Sequence, residues 1–248
     1  MVWKEVKQNS WEKVKEFDIH KSSVNCISWA PWQYGLILVA GSSDGQISIL
    51  THAQDKWNTE AFPAHKSGIT SVSWGPAKCS TGDTSKEEES KETISQMQFI
   101  SGGCDGLLKL WTFSKETNKF ADETVANYSG WIKDATFAQF NTSGLALPKE
   151  YYAETELAST IAVCAEDKVL SILRLKQEKW VEYKLKDQPS QPVKLSWSAN
   201  GHLLAVAYAD GKSAVYQEQT EGNWEIMSTF SEEQISSQND SSKEEKQS

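Results

Sequence analysis

The chain carries little positive charge and almost no arginine. Its 248 residues include 25 lysines and arginines against 34 aspartates and glutamates, which gives a net charge of −9 at pH 7. Arg174 is the single arginine. A nucleic-acid binder needs clustered Lys and Arg side chains to neutralise phosphates, and pockets for phosphorylated or acidic peptides generally need arginine. The composition therefore argues against both kinds of partner.

Cysteine and long apolar runs are also scarce. The four cysteines, at positions 26, 79, 104 and 164, have no C-x-x-C spacing, which favours reduced thiols in a reducing compartment over disulfides. No apolar run reaches about 18 residues and the N-terminus lacks a signal-peptide pattern, so we expect neither a membrane span nor secretion. The four histidines show no paired metal-ligand spacing, and we expect no metal and no cofactor.

The sequence does contain one pattern that repeats four times. An apolar strand leads through a tight turn into a return strand, and another strand that ends in an aromatic residue precedes each of these hairpins. The aromatic ends are Trp29, Trp74, Phe137 and Trp197, and the hairpin turns are Asp44-Gly45, Asp105-Gly106, Asp167 (without a glycine) and Asp210-Gly211. A further strand follows each return strand. Four strands in each repeat indicate an all-β propeller with one sheet per blade.

The spacing of the repeats divides most of the chain. We expect a four-bladed propeller portion over residues 18–230, with inserts at 75–98 and 141–157 between the first two strands of the second and third repeats. We expect both inserts to be loops, and the acidic run at 86–92 to be solvated. Residues 231–248 are rich in Ser, Glu, Gln and Lys, so we expect a disordered tail there.

Two patterns match catalytic motifs, but both favour a structural interpretation. Residues 41–45 fit the G-x-S-x-G nucleophile elbow, yet that elbow joins a strand to a helix and here a hairpin follows. His65, Ser101 and Asp105 have the residue types of a catalytic triad. Together with Trp111 they are also similar to the hydrogen-bonded set that links strands inside a WD-repeat blade. We therefore expect a structural network and no enzymatic activity.

Longer stretches of the chain resemble one family. Matching segments are His20–Asn25, Ser28–Pro31, Tyr34–Leu38, Gly41–Ser48, Ser71–Ala77 and Ser101–Trp111. In this register they resemble the Sec-thirteen family, the WD-repeat propeller subunit of the COPII outer coat and of the nuclear pore Y-complex. The resemblance extends to about residue 230 and is strongest in 20–111. Leu173 and Tyr216 stand where the repeat usually has tryptophan.

This resemblance implies a six-bladed open propeller that a partner completes by donating a blade of strands. The implied partners are the large rod-shaped COPII outer-coat subunit and a scaffold nucleoporin of the Y-complex. The implied function is a non-catalytic structural scaffold for vesicle budding at the cytoplasmic face of the endoplasmic reticulum and on COPII vesicles, with the nuclear pore as a second location. Two alternatives stay open, namely a propeller of the nuclear pore alone and a WD-repeat substrate adaptor of another complex.

The chain departs from the family at its start. Residues 1–17 resemble the last two strands of the family's second blade, whereas the first blade and the inner strands of the second have no counterpart. This favours a truncated gene model or a partial chain over a shortened protein, and it predicts an unpaired edge near the N-terminus. In the family the donated blade lies between the first and last blades. Val193, Leu195 and Trp197 are therefore predicted partner contacts, although they fit an ordinary core strand equally well.

Overall fold

The computed structural model describes residues 1–77, 97–139 and 159–231, together with two short strands at 79–80 and 93–94. Within this part, all regular structure is β-strand except for one short 3-10 helix, Trp32–Tyr34. No helix there is long and apolar enough to cross a membrane. The acidic run at 86–92, the insert at 141–157 and nearly all of the expected tail lie outside the described residues.

The strands form four antiparallel four-stranded sheets and two small pairs. The N-terminal pair is β1 (Val2–Lys7) and β2 (Ser10–Lys15). The first blade is β3 (Val24–Trp29), β4 (Leu36–Ser42), β5 (Gln46–Ala53) and β6 (Lys56–Pro63). The second is β7 (Ile69–Trp74), β10 (Gln98–Gly103), β11 (Leu107–Ser114) and β12 (Lys119–Asn127), with the pair β8 (Cys79–Ser80) and β9 (Thr93–Ile94) inside its insert. Within the insert expected as a loop, these two short strands pair with each other.

The last two blades repeat the same up-and-down order. The third is β13 (Ile132–Phe137), β14 (Thr160–Ala165), β15 (Val169–Lys176) and β16 (Lys179–Lys184). The fourth is β17 (Pro192–Trp197), β18 (Leu203–Tyr208), β19 (Ser213–Thr220) and β20 (Asn223–Phe230). The all-β WD-repeat propeller architecture expected from the sequence is confirmed.

The core consists of three apolar layers, each formed between two neighbouring blades. Val39 and Ile47 of the first blade pack with Trp74 of the second, and equivalent clusters join the second blade to the third and the third to the fourth. Strand β14 is buried at every position because its sheet lies between two others. Such a strand needs apolar residues on both faces, which explains its continuous apolar sequence.

Hydrogen bonds that involve side chains also join the first strands of successive blades, which are β3, β7, β13 and β17. These are the inner strands of the propeller, and each contacts the inner strand of the next blade. The Asn25 amide donates to the Ile69 carbonyl at 2.8 Å, and the Thr70 hydroxyl donates to the Ile132 carbonyl at 2.7 Å. Between the third and fourth blades, the backbone N–H of Leu195 donates to the Asp134 carboxylate at 3.0 Å. Each of the three contacts therefore ties one blade to the next beside the axis.

The aromatic residues that end the inner strands have a second linking role. The indole of Trp74 donates to the Ser28 carbonyl at 3.1 Å, and that of Trp197 donates to the Thr136 carbonyl at 3.2 Å. Both bonds reach back to the preceding blade. Phe137 has no ring donor, and its backbone N–H instead donates to the Ser73 hydroxyl at 3.1 Å. The repeated aromatic thus combines apolar burial with a polar contact between blades.

The third and fourth blades share a partly buried ionic contact as well. Arg174 on β15 donates through both terminal nitrogens to the Glu218 carboxylate on β19, at 3.1 and 2.8 Å. The same carboxylate accepts the Gly222 N–H at 2.7 Å. Paired bonds of this kind fix the relative orientation of both groups. The single arginine therefore lies between two blades.

The aspartates of three hairpin turns hydrogen-bond to the backbone of their own turn. Asp44, Asp105 and Asp210 each accept the backbone N–H two residues further on, at 3.1, 3.2 and 3.3 Å respectively. Short aspartate side chains readily make this local bond in turns. The third turn instead places Asp167 and Lys168 at φ of 60° and 58°, so two non-glycine residues carry the left-handed conformation of a type I′ hairpin.

A glycine follows the aspartate in three of the four turns. Gly45, Gly106 and Gly211 have φ of 77°, 77° and 80°. A Cβ atom on Gly106 would lie 2.2 Å from the Tyr128 carbonyl oxygen, whereas one on Gly211 would meet nothing within 4 Å. Both glycines thus relieve backbone strain, but only the first also permits close packing.

Replacing these two glycines by alanine should separate the two effects. Gly211→Ala should cost about 1–2 kcal/mol, the penalty for a left-handed L-residue. Gly106→Ala should cost more, since the Tyr128 backbone must also move. Thermal melts of both variants followed by circular dichroism test this. Equal losses in melting temperature would show that the close approach at Gly106 has no energetic weight.

Candidate functional site

Exposed large apolar side chains are concentrated at the start of the chain. Among the described residues, fourteen such side chains are exposed and ten of them belong to residues 1–36. These ten are Met1, Trp3, Val6, Trp11, Val14, Val24, Ile27, Trp29, Trp32 and Leu36. Contiguous exposed apolar surface usually marks an interaction site. The first blade and the hairpin before it are therefore the candidate interface.

The inner strand of the first blade differs from its counterparts. No residue of β3 is buried, whereas β7 and β13 each bury four of six positions. Cys26 packs toward the second blade. Because strand residues alternate between faces, Ile27 and Trp29 lie on the other face, where they are 63% and 48% exposed. Trp29 pairs in register with Leu38 of β4, so Leu36 belongs to the same face. We call Ile27, Trp29 and Leu36 the open face.

The segment that leads into the first blade covers only the outer part of this sheet. The Phe17 ring packs edge-on against Trp57 of β6, with centroids 5.5 Å apart. Further in, His20 Nε2 lies 2.8 Å from the Ser48 hydroxyl. Ser48 and Leu50 are buried as a result, whereas the residues of the open face, which lie nearer the axis, are exposed.

The predicted contact strand of the fourth blade is largely occupied within the chain. Leu195 is buried and Trp197 is half-buried, and both belong to the cluster that joins the third and fourth blades. Trp197 also packs edge-on against Trp224 at 5.6 Å. Leu195 and Trp197 therefore contact their own neighbours, while Val193 is half-buried and a partner contact on this strand stays a prediction.

The sequence predicted an unpaired edge near the N-terminus but not the open face. In β3 the large residues Ile27 and Trp29 alternate with small ones, yet the covered strand β7 shows the same alternation of Val72 and Trp74 with serines. The pattern of β3 therefore does not show that one of its faces is exposed.

The structure brings His65, Ser101, Asp105 and Trp111 into one hydrogen-bonded chain. His65 Nδ1 lies 2.9 Å from the Asp105 carboxylate and His65 Nε2 lies 2.8 Å from the Ser101 hydroxyl. The Trp111 indole donates to the same hydroxyl at 2.9 Å. Asp105 also accepts the Lys66 N–H at 3.1 Å. The hydrogen-bonded network thus extends from the segment just before the second blade to the third strand of that blade.

Burial of His65 and Ser101 sets the protonation state of the imidazole and the access of solvent to the hydroxyl. Burial lowers the pKa of His65 despite the opposing effect of Asp105, so the imidazole is neutral at pH 7. A neutral ring that donates from Nδ1 to Asp105 accepts the Ser101 hydroxyl at Nε2. Ser101 is completely buried, so no substrate from solvent can reach it. The arrangement suits a structural cross-link and not a nucleophile.

The first and fourth blades have different residues at the positions of this network. In the first blade, Ala40 and Leu50 occupy the positions of Ser101 and Trp111, counted from the turn aspartate. In the fourth blade, the hydroxyls of Tyr208 and Tyr216 lie 2.8 Å apart, and both donate to the Gln188 side-chain carbonyl at 2.7 and 3.0 Å. This second network was not predicted from the sequence, because its residues do not follow the His, Ser, Asp, Trp pattern.

The described thiols offer no reactive site. Cys26, Cys104 and Cys164 are free. Burial raises the pKa of Cys26 and of Cys164 to about 12, which keeps both thiols protonated and unreactive. Within the described ranges, no three His, Cys, Asp or Glu side chains cluster in a way that could hold a metal ion.

Removal of the central hydroxyl should destabilise the second blade. Ser101→Ala leaves the buried Trp111 N–H and the His65 nitrogen without a partner, so we expect a loss of about 1–3 kcal/mol. Chemical denaturation followed by tryptophan fluorescence measures it. Ser228→Ala on the outer strand β20 is the control and should leave stability within about 0.5 kcal/mol of the parent. A neutral Ser101→Ala result would contradict a structural role for the network.

The lowered pKa of His65 predicts a pH effect with a definite sign. The folded state disfavours the imidazolium, so its contribution is fully present above the ordinary pKa of 6.5 and is lost as the pH falls through the folded value. Unfolding free energies at pH 7.5 and 5.5 should therefore decrease toward acid. His65→Gln should flatten this dependence, whereas exchange of the exposed His202 for Gln should not. A slope that survives in His65→Gln would assign it to other groups.

Comparison with known proteins agrees with this architecture. A model of the WD domain, G-beta repeat, matches residues 11–49 and 57–112, and the model "Anaphase-promoting complex subunit 4 WD40 domain" matches 155–237. "Protein transport protein SEC13" of Cryptococcus neoformans var. neoformans serotype D is 31% identical over 93% of this chain and 73% of its own length. The proteins of the same name from Emericella nidulans and Mycosarcoma maydis are each 32% identical, over 94% and 88% of this chain and 73% and 63% of theirs.

Identity of this level over nearly the whole chain, together with the four-stranded blades, establishes the relationship. The chain belongs to the SEC13 family of WD-repeat proteins.

Proposed function

We propose that the chain is a non-catalytic structural scaffold of a vesicle coat, resembling the propeller of the COPII outer coat, which supports budding from the endoplasmic reticulum. The observation that carries this proposal is the open face on the first blade. A sheet face with Ile27 and Trp29 about half exposed or more is unfavourable in water and favours a covering partner. The relatives' name, protein transport protein, supports the choice of process.

The partner would be an elongated coat subunit that contributes strands as one more blade. These strands would complete the upstream blade for which residues 1–17 supply the outer strands, and they would stack on the open face in the way that the second blade stacks on the first. Each large apolar side chain that becomes fully covered contributes about 1.5–3 kcal/mol. Several such contacts are needed, since association itself costs about 4–15 kcal/mol. A rigid propeller fixed in this way would stiffen the rod subunit of a cage.

The division of the chain belongs to the same proposal. Residues 18–230 would act as one propeller portion, residues 1–17 as the outer strands of an upstream blade, and residues 231–248 as a disordered tail. The hairpin of β1 and β2 is the kind of structure that such outer strands would form. The site of action would be the cytoplasmic face of the endoplasmic reticulum and COPII vesicles.

Two further assignments would use the same architecture. A scaffold nucleoporin of the nuclear pore Y-complex could supply the extra blade in place of the coat subunit. A substrate adaptor of another complex is favoured by the match of residues 155–237 to the WD40 domain of an anaphase-promoting complex subunit. That match covers only the last part of the chain, whereas the SEC13 relatives cover nearly all of it.

Affinity capture of the tagged protein from gently lysed cells, with mass spectrometry of the retained proteins, tests the proposal. We expect a large coat rod subunit in the eluate. Ile27→Asp places a charge on the open face and should reduce its recovery at least about tenfold. Trp131→Ala removes an exposed aromatic elsewhere and should leave recovery unchanged.

The identity of the captured proteins separates the alternatives. Y-complex nucleoporins without coat subunits would move the assignment to the nuclear pore. Ubiquitin-ligase subunits would support the adaptor function. Coat capture that is insensitive to Ile27→Asp would leave the process in place but refute the open face as its contact.

A further inference from the structure

The inner strand of the first blade exposes two residues that the other inner strands cover. Ile27 is the fourth residue of β3 and Trp29 is the sixth. The fourth and sixth residues of the other inner strands lie in the cluster shared with the preceding blade, namely Val72 with Trp74, Ala135 with Phe137, and Leu195 with Trp197. All of these but Trp197 are buried, whereas Ile27 and Trp29 are 63% and 48% exposed. The position of a preceding inner strand is thus present, and no described strand occupies it.

The three contacts between successive inner strands follow one rule at the strand ends. In each of them, the sixth residue of the later strand donates a hydrogen bond to the fifth residue of the earlier strand, at 3.1–3.2 Å. The indoles of Trp74 and Trp197 donate to a main-chain carbonyl, and the backbone N–H of Phe137 donates to a serine hydroxyl. Trp29 occupies the same position and has the same indole. Its N–H is therefore suited to a carbonyl on a preceding strand.

The starts of the inner strands carry a second repeated contact. The side chain of Asn25, the second residue of β3, donates to the carbonyl of Ile69, the first residue of β7. The side chain of Thr70, the second residue of β7, donates in the same way to Ile132, the first residue of β13. The step into the fourth blade uses an aspartate acceptor instead. Val24 is the first residue of β3, so the repeated contact would bring a side-chain donor to its carbonyl.

We propose that the open face binds a six-residue β-strand of the coat partner, which runs parallel to β3 and has Asn, Thr or Ser as its second residue. That side chain donates to the Val24 carbonyl, and the Trp29 indole donates to the carbonyl of the fifth residue of the strand. Apolar contact with Ile27 between these two points has no direction of its own, so the two hydrogen bonds fix the direction and register. This inference rests on the proposed function, because it specifies how that partner is recognised.

A second copy of this chain does not meet these requirements. Its first three inner strands are already covered by the next blade, so only β17 could approach the open face of another copy. The second residue of β17 is Val193, which has no side-chain donor for the Val24 carbonyl. The exposed Lys194 next to it would also bring a charge toward the apolar face. Both observations favour a strand from a different protein.

Site-specific photocross-linking in the tagged chain tests the direction of the strand. Benzoylphenylalanine replaces Val24 in one variant and Trp29 in another, and both positions are 48% exposed, so the fold should be kept. Mass spectrometry then locates the cross-linked residues in the captured partner. We expect both probes to reach one segment, with the cross-link from position 24 N-terminal to that from position 29. The residue reached from position 24 should lie at or beside an Asn, Thr or Ser.

Removal of the indole donor tests the second contact. Trp29→Phe keeps an aromatic ring on the open face but removes its N–H, so recovery of the partner at limiting bait should fall about two- to tenfold, the effect of one lost hydrogen bond. Trp131→Phe makes the same exchange at an exposed position outside the open face and should leave recovery unchanged. A melting curve confirms that each variant is folded. Recovery with Trp29→Phe equal to that of the parent would overturn the role of the indole.

The outcomes separate this inference from the proposed function. Cross-links in the reverse order, cross-links to a second copy of this chain, or no cross-link from either position would overturn the strand and leave the coat function in place if the coat subunit is captured. Cross-links in the expected order to a nucleoporin strand would support the recognition and move only the process. Absence of the coat subunit from every eluate would refute the proposed function itself.

Discussion

A propeller blade is stable only while both of its apolar faces are covered. Each sheet here has large side chains on both sides, and burial of that surface supplies most of the stabilisation. The three clusters between blades satisfy this requirement for the second and third blades completely. The first blade is covered on one side only, and His20 and the segment before it protect just the outer part of the other. The fourth blade also belongs to one cluster only, so the position of the candidate interface follows from this unequal coverage together with the large exposed side chains of the first blade.

Polar contacts between blades follow the same logic at the axis. Asn25, Thr70 and Asp134 each take part in a bond to the next inner strand, and the bonds of the first two are partly buried while that of Asp134 is buried. A buried polar group without a partner would cost more than its bond contributes, so these residues depend on the neighbouring blade. Loss of one blade would thus leave both apolar and polar groups of the next one unsatisfied.

The features that could be predicted from the sequence are those that depend on neighbouring residues along the chain. Period-two patterns and turn residues located the strands of all four blades, and Asp105 with Gly106 marked a hairpin because few residues tolerate its geometry. The types His65, Ser101 and Trp111 suggested a network before any distance was known. The contact of Trp197 with Thr136 could not be predicted, because 61 residues separate them and only the packing of blades joins them.

The unpredicted part of the candidate site has the same origin. Gln188 joins the two buried tyrosines from a connecting segment, where no periodic pattern singles it out. The open face required knowledge of which side of β3 the second blade covers. In each case the missing information concerned neighbours in space, which a strand pattern does not specify.

The contacts between blades differ in chemistry, and this makes the blades non-interchangeable. Stacked aromatic rings such as Phe99 and Trp111 fill the second blade, whereas the forked contact of Arg174 with Glu218 joins the third and fourth. A rearrangement that moved the fourth blade next to any other would set Glu218 against a face without a guanidinium, since the chain has one arginine. The order of the blades is therefore specified by matched side chains as well as by the connectivity of the chain.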